Sequence, residues 1–172
     1  MNNPYQAPSA DLHTSANESP LQYVGFWARV AAYIVDSILL MLVMYPLLYL
    51  VIGDIFTDPA AAESFNLPIS YWLISIGLPI LFFVGFWIVK NTTPGKMLFS
   101  ATIVDAKTGG TPSKGQYIGR YLGYIVSSIP LGLGFLWAAW DKRKQTWHDK
   151  MSGTVVVKPS TDPAKYASFN QQ

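Results

Sequence analysis

The chain has 172 residues, 51% of them hydrophobic and 13% charged, with a net charge of +2. It has no cysteine, which excludes a disulfide framework, a thiolate metal site and a cysteine nucleophile. So small a net charge, with the basic residues lying beside apolar blocks, argues against nucleic-acid binding, and the long apolar blocks argue against an ordinary soluble domain.

In chain order, residues 1–22 are polar and carry proline (Asn-Asn-Pro-Tyr-Gln-Ala-Pro-Ser). They have little to bury and are expected as a disordered cytoplasmic tail. No basic n-region precedes an apolar core there, so the first span is expected to act as an uncleaved anchor. Three stretches then lack Asp, Glu, Lys and Arg: 37–53, 65–89 and 121–140. A bilayer span needs about 20 residues, which the last two reach and the first reaches once residues 30–36 are added. The expected spans are therefore about 25–52, 68–89 and 121–140.

The first span opens on Gly25-Phe26-Trp27-Ala28-Arg29 and carries Asp36 inside it. Arg29 suits a snorkelling position at the interface. A charged group in hydrocarbon costs roughly 2.5–3.5 kcal/mol on insertion scales, so Asp36 calls for a partner or a job. The two residues are seven positions apart, about 10 Å along a helix, too far for an easy direct contact. The partner of Asp36 should therefore come from another segment. Ala28, Ala32 and Asp36 form a small-residue stripe that would let a neighbour approach. Pro46 is expected to bend the outer part of this helix.

The loop from Gly53 to Asn66 carries Asp54, Asp58 and Glu63 but no basic residue. By the positive-inside rule it faces out and both termini face the cytoplasm. In the second span, Pro79 frees a carbonyl about one turn earlier, at Ser75, which then needs a polar neighbour. Lys90–Arg120 carries five basic residues against one acid, Asp105. Within it, Thr93-Pro94-Gly95-Lys96 lacks the first glycine and the final Ser or Thr of a phosphate loop, and reads as a turn with a lipid-facing lysine. Met97–Asp105 has a strand-like core, and Pro112 should open a short amphipathic helix bearing Tyr117, Ile118 and Tyr121 on its apolar side.

The third block centres on Ile129-Pro130-Leu131-Gly132-Leu133-Gly134, a poor sequence for a straight helix. If it dipped in and returned, the basic residues after it would stay inside, and Gly153–Val157 could pair with Phe99–Asp105 as a small hairpin-like sheet. The predicted fold is thus an all-α membrane protein. It has two full transmembrane helices, a third broken or re-entrant segment and a small cytoplasmic β-hairpin-like element. Residues 159–172 are expected as a flexible tail.

Asp36 is the leading candidate for a site, since acids placed in spans usually line a pathway. Asp141, His148 and Asp149 form a second polar cluster, and Arg120 stands just before the third block. The plainer alternatives are packing devices and interfacial anchors. One His beside one Asp does not make a metal site, and neither a paired-carboxylate nor a Ser-His-Asp arrangement supports an enzyme. No cofactor is implied.

Taken together, Gly25–Arg29 with Asp36, Thr93–Phe99, Arg120, Pro130–Phe135, Asp141 and Thr146–Lys150 before Gly153–Val157 resemble the RDD family of bacterial membrane proteins over residues 23–158. That family is named for one arginine and two aspartates. The resemblance makes Arg29 the arginine, Asp36 the first aspartate, and Asp149, with Asp141 as the alternative, the second. It implies the bacterial inner membrane and a role in transport, some members being associated with sodium (lithium, potassium)/proton antiport. The expected function is a small transporter or transporter subunit with a monovalent cation or proton as ligand at Asp36. With two or three spans it would work in the bilayer as a homo-oligomer or with a membrane-protein partner. The alternative is a non-transporting accessory or assembly protein that docks a partner.

Overall fold

A computed structural model describes residues 20–58, 60 and 67–169. Most of the tail expected at residues 1–22, and half of the loop expected to face out, therefore lie outside the described residues.

In lipid, backbone groups must find partners within their own segment, and an apolar run does so by winding into a helix. Helix α1 is Phe26–Thr57, and α2 is Ile69–Lys90; both are long and apolar enough to cross a bilayer. Their outer faces carry exposed Leu42, Leu50, Leu73 and Leu81, as a lipid-facing surface requires. The break in α1 does not fall where Pro46 predicts it. The helix continues through Pro46, and the non-helical residue is Ile52 (φ −128°, ψ 17°).

In α2, residues Leu73–Gly77 wind as a π-helix just before Pro79. A wider turn accommodates the proline ring and the missing N–H without a sharp break. The Ser75 hydroxyl there is buried without a hydrogen-bond partner among the described residues. Asn91 in the left-handed region (φ 55°) ends α2, and the short α3, Pro94–Met97, follows with Thr93 as its N-cap.

Three strands, β1 (Leu21–Tyr23), β2 (Thr102–Asp105) and β3 (Thr154–Pro159), form an antiparallel sheet in the order β1-β3-β2. Thr102 pairs with Val157 and Asp105 with Thr154, as the strand-like runs suggest. The element is a three-stranded sheet, not a hairpin, because β1 lies on the other side of β3. Successive side chains of a strand face opposite ways. Ile103 and Val156 accordingly pack with Trp87 and Tyr117 toward the helices, while Val104, Val155 and Val157 face away.

That second face needs a cover. Residues after β3, expected as a loose tail, supply it: Ser160 N–H donates to Pro20 O, Ala167 N–H donates to Leu21 O, and Ala167 and Phe169 pack on the face.

Between β2 and β3 lies the third apolar block. Helix α4, Lys114–Ser128, starts at a Ser113–Gln116 capping box and runs straight into that block. There is no separate amphipathic helix; Tyr117 is buried, but Ile118 is exposed and not on the same packed face. After Pro130, Leu131 and Gly132, both in the left-handed region, reverse the chain into α5, Leu133–Leu136, which continues as a 3₁₀ turn over Trp137–Ala139. The two arms meet at 113°. The segment is broken, as expected, and α6, Trp147–Ser152, returns to the sheet.

Candidate functional site

Three charged side chains from three different segments meet inside the molecule. Arg29 stands on the first turn of α1, Arg120 in the middle of α4 and Asp149 on α6; Arg120 is 1% and Asp149 0% exposed. Thr146 caps α6 by accepting from Asp149 N–H, and Asp149 answers by accepting from Thr146 N–H at 3.1 Å, which fixes the carboxylate in place. Arg29 Nη1 donates to Asp149 Oδ2 at 2.5 Å, and Arg120 Nη1 donates to Oδ1. One carboxylate therefore joins α1 to α4 through two guanidinium groups.

Burial alone would raise the Asp149 carboxyl, but the guanidiniums of Arg120 and Arg29 outweigh it and hold the group far below the usual carboxylate range. The cluster is anchored further: Arg29 Nε donates to Val24 O, Arg120 Nη1 donates to Thr154 Oγ1 of β3, and the Arg120 guanidinium lies 5.4 Å from the Trp87 ring centroid. Two donors remain over. Arg29 Nη2 and Arg120 Nε are buried with no hydrogen-bond partner among the described residues.

His148 is held without charge. The single hydroxyl proton of Ser127 goes to Gly123 O, so its oxygen accepts from His148 Nδ1–H at 3.3 Å, and Nε2 accepts from Thr146 Oγ1 at 2.8 Å. Burial pushes the imidazole well below its ordinary value despite neighbouring Asp149. The ring stacks on Tyr124 with centroids 4.0 Å apart. Gly123 makes that approach possible, since a Cβ there would lie 2.8 Å from His148 Cβ.

Asp36 does not meet Arg29. Its partners come from the turn before α3: Thr93 Oγ1 donates to Oδ2 at 2.5 Å and Gly95 N–H donates to Oδ1 at 2.7 Å. The small-residue stripe on α1 serves this contact, because a Cβ on Gly95 would lie 2.1 Å from Ala32 O. Lys96, expected to face lipid, is instead 7% exposed and points inward, its Nζ 3.4 Å from Thr93 Oγ1. Burial lowers its ammonium to about 8, with Arg120 adding to the effect and Asp36 opposing it. Thr before Pro-Gly at a helix start was the available signal: a cap, a first-turn proline and a free amide suited to a carboxylate.

Asp141 stands apart. It pairs with the exposed Lys150 and accepts from the Arg143 and Gln145 backbone N–H groups, its own side chain 11% exposed. Of the sequence candidates, then, Arg29, Arg120, His148 and Asp149 converge, Asp36 adjoins them through Lys96, and Asp141 does not.

Arg29, Lys96, Arg120, Thr146 and His148 line one end of a cavity of about 870 Å³. Apart from Ser128, its other walls are apolar or aromatic, from Phe83 and Pro79 on α2 to Ile125, Leu131 and Phe135 around the reversal. By formal charge, Arg29, Lys96 and Arg120 exceed Asp36 and Asp149 by one. Among the described residues no group of three or more His, Asp or Glu side chains could hold a metal ion.

The sequence is similar to two uncharacterized proteins. RP437 of Rickettsia prowazekii is 37% identical over 99 residues, covering 55% of each chain. YxaI of Bacillus subtilis is 32% identical over 147 residues, covering 77% of this chain and 95% of the relative. A proline-rich antigen homolog of Mycobacterium tuberculosis is 29% identical over 89 residues, half of this chain and 37% of that one. The chain thus spans about half the length of the Rickettsia relative and nearly all of the Bacillus one. No solved structure matches it. The RDD family matches residues 23–153, which include Arg29, Asp36, Arg120 and Asp149, and the chain belongs to that family.

Proposed function

We propose that this protein is a small membrane transporter or transporter subunit whose ligand enters the cavity at the Arg29–Asp149–Arg120 cluster. One observation carries the reading: a buried, incompletely paired charge cluster opens into a cavity between segments long and apolar enough to span a bilayer. A cluster built only to hold the fold would have its donors satisfied, since each unpaired buried donor costs free energy. Within this reading Asp36 acts as the strut that seats α3 and Lys96 against α1. Cation/proton exchange of the kind associated with the family is the competing ligand choice for this reading, and the sodium, lithium and potassium gradients below test it. Asp149 is the family's second aspartate in this reading, because it alone joins both arginines.

The test is solute flux into proteoliposomes holding the purified full chain, with sodium, lithium and potassium gradients read by a pH dye and anion uptake read with labelled phosphate. Flux above empty vesicles is expected, and Ile125→Trp, which fills the cavity without touching the cluster, should reduce it at least about tenfold. No flux under any gradient, together with a stoichiometric partner on mild-detergent purification, would favour the accessory-protein alternative.

A further inference from the structure

The cavity's two ends differ in chemistry, and together they define a ligand class. We infer that the cavity binds an amphipathic anion, a phosphate or carboxylate head carried on an apolar chain, with the head against Arg29, Lys96 and Arg120. The inference rests on the proposal that the cavity is a ligand site, and it names what the site takes.

Three features of the polar end point to an anion. The five formally charged side chains leave one positive charge unmatched, in a place where an uncompensated charge is costly. Both Asp149 oxygens are already engaged by the protein: Oδ2 accepts from Arg29 and Thr146, and Oδ1 from Arg120. The cluster atoms left without a partner among the described residues are both donors, Arg29 Nη2 and Arg120 Nε, and the Lys96 ammonium has only a long 3.4 Å contact. Donors of this kind match the oxygens of a phosphate or carboxylate. A cation placed here would meet three like charges and no free carboxylate oxygen.

The opposite end fixes the rest of the ligand. Beyond His148 the walls are Phe83, Pro79, Ile125, Ile129 and Leu131, with no charged group among them. Ile129 and Leu131 are exposed, 75% and 97%, so the cavity is open at its apolar end. A free inorganic anion would fill only the polar end. A volume near 870 Å³ is within the usual range for sites that enclose a ligand with a sizeable apolar body.

The experiment is native mass spectrometry of the full chain in a mild detergent, titrated separately with phosphatidic acid, phosphatidylglycerol, phosphatidylcholine, oleate and inorganic phosphate. Anionic amphiphiles should bind at least about tenfold more tightly than phosphatidylcholine, the effect of one charge-assisted hydrogen bond. Lys96→Gln should remove that preference and Lys96→Arg should keep it. Ile125→Trp leaves every charge in place and should weaken all amphiphiles, which covers the case in which Lys96→Gln does not fold. Equal binding of phosphatidylcholine and phosphatidylglycerol overturns the inference, as does an unchanged preference in Lys96→Gln or binding unaffected by Ile125→Trp. Inorganic phosphate binding as tightly as phosphatidic acid overturns the amphipathic part and assigns the polar end to a free anion. Failure here with cavity-dependent flux retained leaves the transport proposal standing; anion binding without flux leaves the inference standing and removes transport.

Discussion

Asp149 and Asp141 lie eight positions apart in one polar segment, and the structure gives them different work. Removing the charge of Asp149 leaves two guanidiniums facing each other in a buried site, so Asp149→Asn should cost about 3–5 kcal/mol in thermal or denaturant unfolding. Asp141→Asn loses a pair with Lys150, which is 44% exposed, and should cost under about 1 kcal/mol. Similar losses for the two variants would contradict the assignment. The close approach at Gly95 gives a second test. A methyl group there would enter the Ala32 carbonyl, so Gly95→Ala should destabilise by about 3 kcal/mol or more, read as lost folded yield.

Lys96 and His148 set the pH dependence. Lys96 falls from 10.5 unfolded to about 8 folded, beside Arg120, Arg29, Asp36 and Asp149. Between those values the unfolded chain holds a proton that the folded chain has lost, so stability rises with pH across that window and is flat in this group below it. His148 is depressed well below 6.5 by burial, so stability should fall as pH drops under 6.5. Unfolding of the detergent-solubilised protein between pH 5 and 10.5 would show both slopes, and Lys96→Met should abolish the alkaline one.

At the scale of elements, the sequence exposes what period, length and charge encode. The two spans, the strand pairing of 102–105 with 154–157 and the break at Pro130–Gly134 were all legible, because each rests on local pattern. That Asp36 would find its partner outside its own helix followed from two helical turns of separation. The inward Lys96 was not legible: a single lysine beside a span fits a lipid-facing anchor equally well, and only the Gly95–Ala32 contact turns it inward. Pro46 misleads for a related reason, since lipid penalises an open break and the helix is kept through it. The strand β1 is three residues long, too short to announce itself before the span. Its role depends on residues 160–169, which cover the outer face of the sheet. Phe169→Ala should therefore destabilise the sheet by about 1–2 kcal/mol, roughly half the value for a fully buried ring, seen as faster proteolysis near residue 160.

At the scale of the whole molecule, the sheet constrains the path through the membrane. The start of α1, the end of α2 and both flanks of the bent segment all meet at β1, β2 and β3. Segments that share hydrogen bonds are expected to stand on one side of a bilayer, which predicts a re-entrant path for the 113° pair. Reporter fusions after Thr108 and Lys158 should give the same sidedness, and opposite signals would refute the re-entrant path. The charge cluster sits where these segments converge, with the cavity running away from it between the helices.

The absence of cysteine allows this arrangement to be probed directly. Ser128→Cys places one thiol on the cavity wall, and Leu50→Cys places one on the exposed face of α1. Each would be reacted in membranes with small water-soluble thiosulfonates of opposite charge, and the rates normalised to a free thiol. A net-positive cavity open to ions predicts that the anionic sulfonate modifies Ser128→Cys about tenfold or more faster than the trimethylammonium reagent, while Leu50→Cys reacts with neither. Modification of Ser128→Cys by neither reagent, or faster by the cation, would contradict a cationic ligand cavity.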